Sequence, residues 1–138
     1  MNIKQISVFL DNTAGRLGEL TRVLAGAGIN LRAISIADTA DFGILRLIVN
    51  KCDDALKALK DAGFTTKLSD VIAVEIEDTP GSLAKVMELF EKARVNIEYL
   101  YASLEGQNGK AVVIVKLEDH QRGVQLLTEN HLIMVESF

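Results

Sequence analysis

Slid along itself so that Ile6 falls on Ile72, the chain also matches Val8 with Val74, Thr13 with Thr79, Gly15 with Gly81, Leu17 with Leu83 and Ala27 with Ala93. The register runs on without a gap, for Asn30 meets Asn96, Gly43 meets Gly109, Ile48 meets Ile114 and Val49 meets Val115. Self-similarity at a fixed spacing restricts a chain more than any local propensity, because both stretches must build the same unit. Residues 1–69 and 70–138 are therefore read as two copies of one module. A module of about 70 residues is marginal by itself and gains from sharing a core or a sheet with a twin.

Each copy opens on alternating apolar residues, Ile6, Val8 and Leu10 or Ile72, Val74 and Ile76. That period of two marks a strand with one buried face. Leu17, Leu20, Leu24 and Ala27, matched by Leu83, Val86, Phe90 and Ala93, recur at three and four and so share one helical face. Gly28 stands where the first helix should stop. GINLRAISIA and VNIEYLYASL read as a second strand, rich in residues suited to a pleated surface. Asp41-Phe42-Gly43 and Gln107-Asn108-Gly109 supply the glycine of a tight reversal before a third strand, ILRLIVN or AVVIVKL. Ala55, Leu56, Leu59 and Ala62, and Val124 with Leu127, support a second helix before short strands near 64–68 and 132–137.

The order βαββαβ, found twice, predicts an α+β fold of two ferredoxin-like units in tandem, each an antiparallel sheet with both helices on one face. Right-handed crossovers put the first and third strands in the centre and leave the second and fourth at the edges. Edge strands expose unpaired backbone groups, so the units are expected to dock through them. Only Ser69 and Asp70 separate the strand near 64–68 from the one beginning at Val71, which leaves no flexible linker.

A net charge of −4, with lysine and arginine scattered singly, lacks the basic stripe that binds phosphate backbones, and nucleic acid is not an expected partner. A single cysteine, Cys52, forms no internal disulfide, and no Cys/His cluster offers a metal site. A reducing cytoplasm is the expected location. The opening MNIKQISVFLDN is too short for a signal core, and no run approaches the roughly 18 apolar residues of a membrane span.

Between the first strand and helix lie Asn12-Thr13-Ala14-Gly15-Arg16-Leu17 and Asp78-Thr79-Pro80-Gly81-Ser82-Leu83. Threonine is a good N-cap, Pro80 suits a first helical position and glycine admits close approach of a ligand to the backbone. Free amides at the positive end of a helix favour a carboxylate. Oxygens of Asn12 and Asp78 could accept from an ammonium group, so that both ends of an α-amino acid are read.

These segments resemble the ACT domain, a small βαββαβ module that binds amino acids and regulates amino-acid metabolism. The resemblance rests on a D/N-x-x-G-x-L turn, here Asn12-x-x-Gly15-x-Leu17 and Asp78-x-x-Gly81-x-Leu83, and on Ile29-Asn30 and Val95-Asn96, and it covers nearly the whole chain. It implies that Asn30 and Asn96, at the start of the second strand, touch a ligand lying between one domain's turn and a neighbour's strand. Some relatives carry a histidine just before the turn, where this chain has Leu10 and Ile76, a departure from the serine-binding pattern.

Simpler roles stand beside these. Asn12 and Asp78 could serve as caps or turn formers, Asn30 and Asn96 as turns leading into a strand, and the glycines as relief of helix–sheet crowding. Arg16, whose counterpart is Ser82, reads as a solvated side chain or as a bidentate carboxylate donor. Cys52 reads as an ordinary thiol; His120 and His131 bracket the last helix without metal-ligand spacing; Tyr99 and Tyr101 alternate on a strand.

No acid, base, nucleophile and metal converge as catalysis requires, and no cofactor is implied. An RNA-recognition module would carry stacking aromatics on ILRLIVN, and an acylphosphatase-like enzyme a phosphate-cradling loop with arginine, of which Asp11 to Arg16 is a faint imitation. The expectation is a stand-alone, non-catalytic sensor of a free amino acid, forming a homo-oligomer such as a dimer. The alternatives are an assembly adaptor, or a regulatory subunit of an amino-acid biosynthetic enzyme resembling the small subunit of acetolactate synthase.

Overall fold

The computed structural model describes residues 3–11, 13–38, 42–104 and 108–137. Asn12, Asp41 and Gln107, which the sequence assigns to turns, lie outside the described residues. The chain divides into two compact units, Lys4–Ser69 and Asp70–Ser137.

The N-terminal unit comprises β1 (Ile3–Asp11), α1 (Arg16–Gly26), β2 (Leu31–Asp38), β3 (Phe42–Val49), α2 (Cys52–Asp61) and the opening of β4 (Thr65–Glu77). Its sheet order is β2-β3-β1-β4, with β1–β3 and β2–β3 antiparallel. Ile6, Val8 and Leu10 from β1 and Leu45 and Leu47 from β3 share one face. Leu20 and Leu24 of α1 and Ala55 and Leu59 of α2 pack on it. Both helices therefore lie on one side, held by apolar burial worth about 1.5–3 kcal/mol per large side chain as an upper estimate.

The C-terminal unit continues with the end of β4, then α3 (Ser82–Lys92), β5 (Ile97–Ala102), β6 (Lys110–Leu117), α4 (His120–Glu129) and β7 (Ile133–Val135). β4 is flanked by β6 and β7, and β5 pairs β6, all antiparallel. Val86 and Phe90 of α3 and Leu126 and Leu127 of α4 cover Ile72, Val74, Val113 and Val115. Where α2 has Ala55, α4 has Gly123, and a Cβ there would collide with Leu117 Cδ1.

Three expectations are corrected. Residues 64–68 and the stretch from Val71 are not two strands, for β4 runs through Ser69 and Asp70, where no glycine or proline interrupts it. The repeat is not gapless. Leu10 pairs Gly43 whereas Ile76 pairs Ala111, so the second hairpin is two residues longer, and Gly43, Ile48 and Val49 are not the structural partners of Gly109, Ile114 and Val115. Gly43 is not a reversal residue either. It lies inside β3, with Ile36 side-chain atoms 3.5 Å from where its Cβ would be. Asn108 and Gly109 do take the left-handed turn conformation, at φ 54 and 72, as Asn-Gly favours.

All four helices end in the same way. The amides of Ile29, Phe64, Val95 and Leu132 reach back to Leu24, Leu59, Phe90 and Leu127 at 2.9–3.0 Å, the six-to-one bond of a Schellman ending. The residue before each has positive φ, Gly28 and Gly63 in one unit but Arg94 and His131 in the other. A side chain in that region is strained by on the order of 1 kcal/mol. Arg94→Gly should accordingly stabilise the protein by about 0.5–1 kcal/mol, and Gly28→Ala should destabilise it by about 1–2 kcal/mol, in chemical denaturation. Equal and same-signed effects would refute this account.

Candidate functional site

In the N-terminal unit the chain leaves β1 at Asp11, whose carbonyl accepts from Thr13 N at 2.8 Å. Thr13 O accepts from Arg16 N at 3.4 Å, and Gly15 O from Glu19 N at 2.9 Å. The residue capping α1 is Gly15, at φ 85, and among the described residues no side chain caps the helix. The C-terminal unit repeats this: Gly81, at φ 90, precedes Ser82, Ser82 N donates to Thr79 O at 3.3 Å and Lys85 N to Gly81 O at 3.1 Å.

The threonines are thus not N-caps, and Pro80 lies outside the helix rather than in its first turn. Thr79 instead shares a hydroxyl–hydroxyl bond of 2.7 Å with Ser82. Nor do the glycines relieve crowding. A Cβ on Gly15 or Gly81 would meet nothing within 4 Å, so positive φ alone explains the residue type. Asp78 is exposed, and its amide donates to Gly109 O at 2.8 Å. Among the described residues, its carboxylate makes no hydrogen bond and caps nothing. Leu17 and Gly18, like Leu83 and Ala84, have no backbone acceptor among the described residues, which leaves donors at two helix starts.

Arg16 is not a solvated side chain. It is half-buried, its Nη1 donates to Glu19 Oε2 at 2.9 Å, and its guanidinium lies 4.1 Å from the centroid of the Phe64 ring. It lines two cavities. One, of about 300 Å³, is lined by Leu10, Asp11, Thr13, Leu17 and Ile36. The other, of about 470 Å³, is lined by Phe9, Asp11, Gly63 and Thr65. The first gathers a carboxylate, a hydroxyl and the guanidinium around an apolar floor. Ala14 and Pro80 stand exposed beside these turns.

Asn30 and Asn96 are elsewhere. Asn50 N donates to Asn30 O at 3.2 Å, Asn30 N to Asn50 Oδ1 at 3.0 Å, and Glu118 N to Asn96 O at 3.0 Å. Asn50 and Glu118 follow the far ends of β3 and β6, whose near ends pair with Asp11 and Glu77. The asparagines are therefore about 25 Å from the turn of their own unit.

Among the described residues no three of His, Cys, Asp and Glu could hold a metal ion, and no helix is long and apolar enough to cross a membrane. Cys52 begins α2 half-buried. Burial pushes its thiol up, Asp53 adds to this, and Lys4 pulls the other way.

A family model of the ACT domain pair matches residues 1–137. This chain belongs to the ACT domain pair family. Protein BT0572 from Bacteroides thetaiotaomicron is 41% identical, with a TM-score of 0.92 over 98% of this ACT pair and 92% of that chain. The ligand-free regulatory subunit of aspartate kinase from Thermus thermophilus shares the fold at 20% identity and a TM-score of 0.69, over 94% of this chain and 93% of that one. The corresponding subunit from Thermus flavus is 17% identical, with a TM-score of 0.64 and coverages of 95% and 94%. No curated protein matches.

The ACT pair also gathers residues that the turn motif does not mark. A cavity of about 390 Å³ in the C-terminal unit is lined by Glu75, Lys85, Leu89, Lys110 and His131, beside Ser82. Glu77 and Lys110 form an ion pair at its rim. The available signal was the change from Gly63 to His131 at one backbone position, hidden by the hairpin insertion. For Cys52, the raised thiol pKa means a smaller thiolate fraction than in the unfolded chain between about pH 7 and 9. Alkylation by iodoacetamide should be slower in the folded ACT pair than in urea across that range, and faster reaction in the folded protein would contradict the placement.

Proposed function

We propose that this ACT pair is a non-catalytic regulatory protein that binds a free amino acid at the turn between β1 and α1, with a related site at the turn preceding α3. The observation that carries the reading is the cavity beside Arg16, where three kinds of group meet at a helix start that no side chain among the described residues caps. The guanidinium and the amides of Leu17 and Gly18 suit a carboxylate. Asp11 and Thr13 suit an ammonium group. Leu10, Leu17 and Ile36 suit an aliphatic side chain, and a cavity of about 300 Å³ admits a single amino acid. At the second turn Asp78, Thr79 and Ser82 supply the polar groups.

Asn12 belongs to the same turn by sequence. Asn30 and Asn96, far from the turn of their own unit, reach such a ligand only from a neighbouring domain, whether the other half of the same chain or a second chain. Leu17 and Ile36 are 40% and 53% exposed, an apolar rim suited to being covered in a homodimer. The second reading is a regulatory subunit of an amino-acid biosynthetic enzyme. It is favoured by the length of the Thermus thermophilus regulatory subunit, 93% of which aligns with this chain.

Thermal denaturation with each of the twenty amino acids tests the first reading. Leucine, isoleucine, valine or methionine should stabilise the protein by about 2.7 kcal/mol at a hundredfold excess over Kd, with serine and lysine ineffective. Arg16→Ala should weaken that binding at least about tenfold while lowering stability by only about 0.5–1 kcal/mol. Indifference to all twenty would overturn the sensor reading and favour the subunit, which co-purification with an enzyme would then identify.

A further inference from the structure

The hairpin between β5 and β6 turns on Asn108-Gly109, the chain's single Asn-Gly pair. Both residues are exposed and both have positive φ, 54 and 72, as a two-residue reversal demands. Among the described residues the Asn108 carboxamide makes no hydrogen bond, and Gly109 N has no backbone acceptor. Gly109 O is engaged. It accepts from Asp78 N at 2.8 Å, which ties the tip of the hairpin to the turn preceding α3. Beside it Lys110 pairs with Glu77 across the two strands, and their side chains form an ion pair.

Other asparagines are placed differently. Asn50 Oδ1 accepts from Asn30 N at 3.0 Å, and Asn130 Nδ2 donates to Leu126 O at 2.8 Å. Asn30, Asn50, Asn96 and Asn130 are followed by Leu31, Lys51, Ile97 and His131, each with a side chain that crowds its own amide nitrogen. Gly109 has none, and a Cβ there would meet nothing within 4 Å, so neither its own substituent nor a packed neighbour crowds the position.

We propose that Asn108 is a site of spontaneous conversion to isoaspartate, a modification with age that is confined to the C-terminal unit and unfastens Asp78 from the hairpin. Gly109 N, its proton taken by hydroxide, attacks Asn108 Cγ. A C–N bond forms to close a succinimide ring, the Cγ–Nδ2 bond breaks and the nitrogen leaves as ammonia. The reaction is slow because the lone pair of a peptide nitrogen is delocalised. Water then opens the ring. Attack at Cγ gives aspartate on an ordinary main chain, and attack at the main-chain carbonyl carbon gives isoaspartate, with the main chain running through Cβ and Cγ. No oxidant, reductant or cofactor takes part, and neither turn needs a ligand. Isoaspartate lengthens the main chain by one methylene and adds a negative charge to a chain already at −4. A two-residue reversal has no slack for the extra atom, so Gly109 O is drawn away from Asp78 N.

Prolonged incubation of the full chain at mildly alkaline pH, followed by tryptic peptide mapping, tests the chemistry. Asn108 should gain the about 1 Da of an amide-to-acid exchange at least about tenfold faster than Asn30, Asn50, Asn96 or Asn130. Isoaspartate should exceed aspartate, accept a methyl group from protein isoaspartate methyltransferase, and be absent from Asn108→Gln. In the modified fraction, separated by its extra charge, hydrogen exchange at the Asp78 amide should be at least about tenfold faster than in fresh protein. Asn108→Asp, with the same charge on an ordinary main chain, should leave that amide protected. Equal rates at all these asparagines, aspartate without isoaspartate, or methyl acceptance that persists in Asn108→Gln would overturn the modification site. Unchanged exchange at Asp78 in the modified fraction, or exchange raised equally by Asn108→Asp, would overturn the loss of the anchor.

Discussion

In each unit the first strand passes into the first helix through a glycine with φ near 90, a reversal that the connections into α2 and α4, with Lys51 and Asp119 at φ −133 and −111, do without. Gly15 and Gly81 make the reversal where an L side chain would be strained. Glycine has no side chain with which to bond the first helical amides. A residue chosen for its φ therefore leaves two donors without a backbone acceptor among the described residues at the start of α1 and again at α3. Capping by Ser, Thr or Asp would stabilise the helix by about 1 kcal/mol and would close the same donors.

The opposite ends of the helices are treated differently. Each Schellman ending satisfies its carbonyls, and each is buried against Leu24, Leu59, Phe90 or Leu127, all in the cores. Among the described residues α2 also starts without a side-chain cap, but the open donors beside the turns are those of α1 and α3, and the packed face of each sheet does not depend on them. Stability and site are separable for that reason. Changes at the turns act on local polar groups, whereas the folded state rests on apolar burial between sheet and helices.

The fold was legible in the sequence to a large extent. Alternation in Ile6, Val8 and Leu10 and the spacing of Leu17, Leu20 and Leu24 are properties of the chain that burial enforces directly. Hairpin length is not such a property. An extra pair of residues between β5 and β6 preserves the alternation on both sides, so accidental identities such as Ile48 with Ile114 passed for homologous ones. The helix starts were misread for a related reason. Threonine at an N-cap is a statistical preference, and the positive φ that gives Gly15 the position is a backbone property that no side-chain pattern records. Arg16 was legible as a cation but not as a stacked one, because Phe64 reaches it only through the fold. Asn30 and Asn96 recur at a fixed distance from the turns, and distance along a chain says nothing about which end of a strand a residue occupies.

Repetition of a backbone does not require repetition of its chemistry. In the N-terminal unit arginine, glutamate, glycine and phenylalanine meet at one corner as Arg16, Glu19, Gly63 and Phe64. In the C-terminal unit the same corner holds Ser82, Lys85, His131 and Leu132. Each exchange alone is conservative of the fold, since none of the four contributes a residue to the core except Phe64, whose place Leu132 takes at its edge. Taken together they change the lining of the corner, invert the charge at a helix start and put an imidazole where glycine is the unstrained choice. His131 costs backbone strain that its twin avoids, and the cost falls on a residue facing a cavity. The two halves of this ACT pair are accordingly one fold carrying two unlike recesses, so occupancy of one is not expected to imply occupancy of the other.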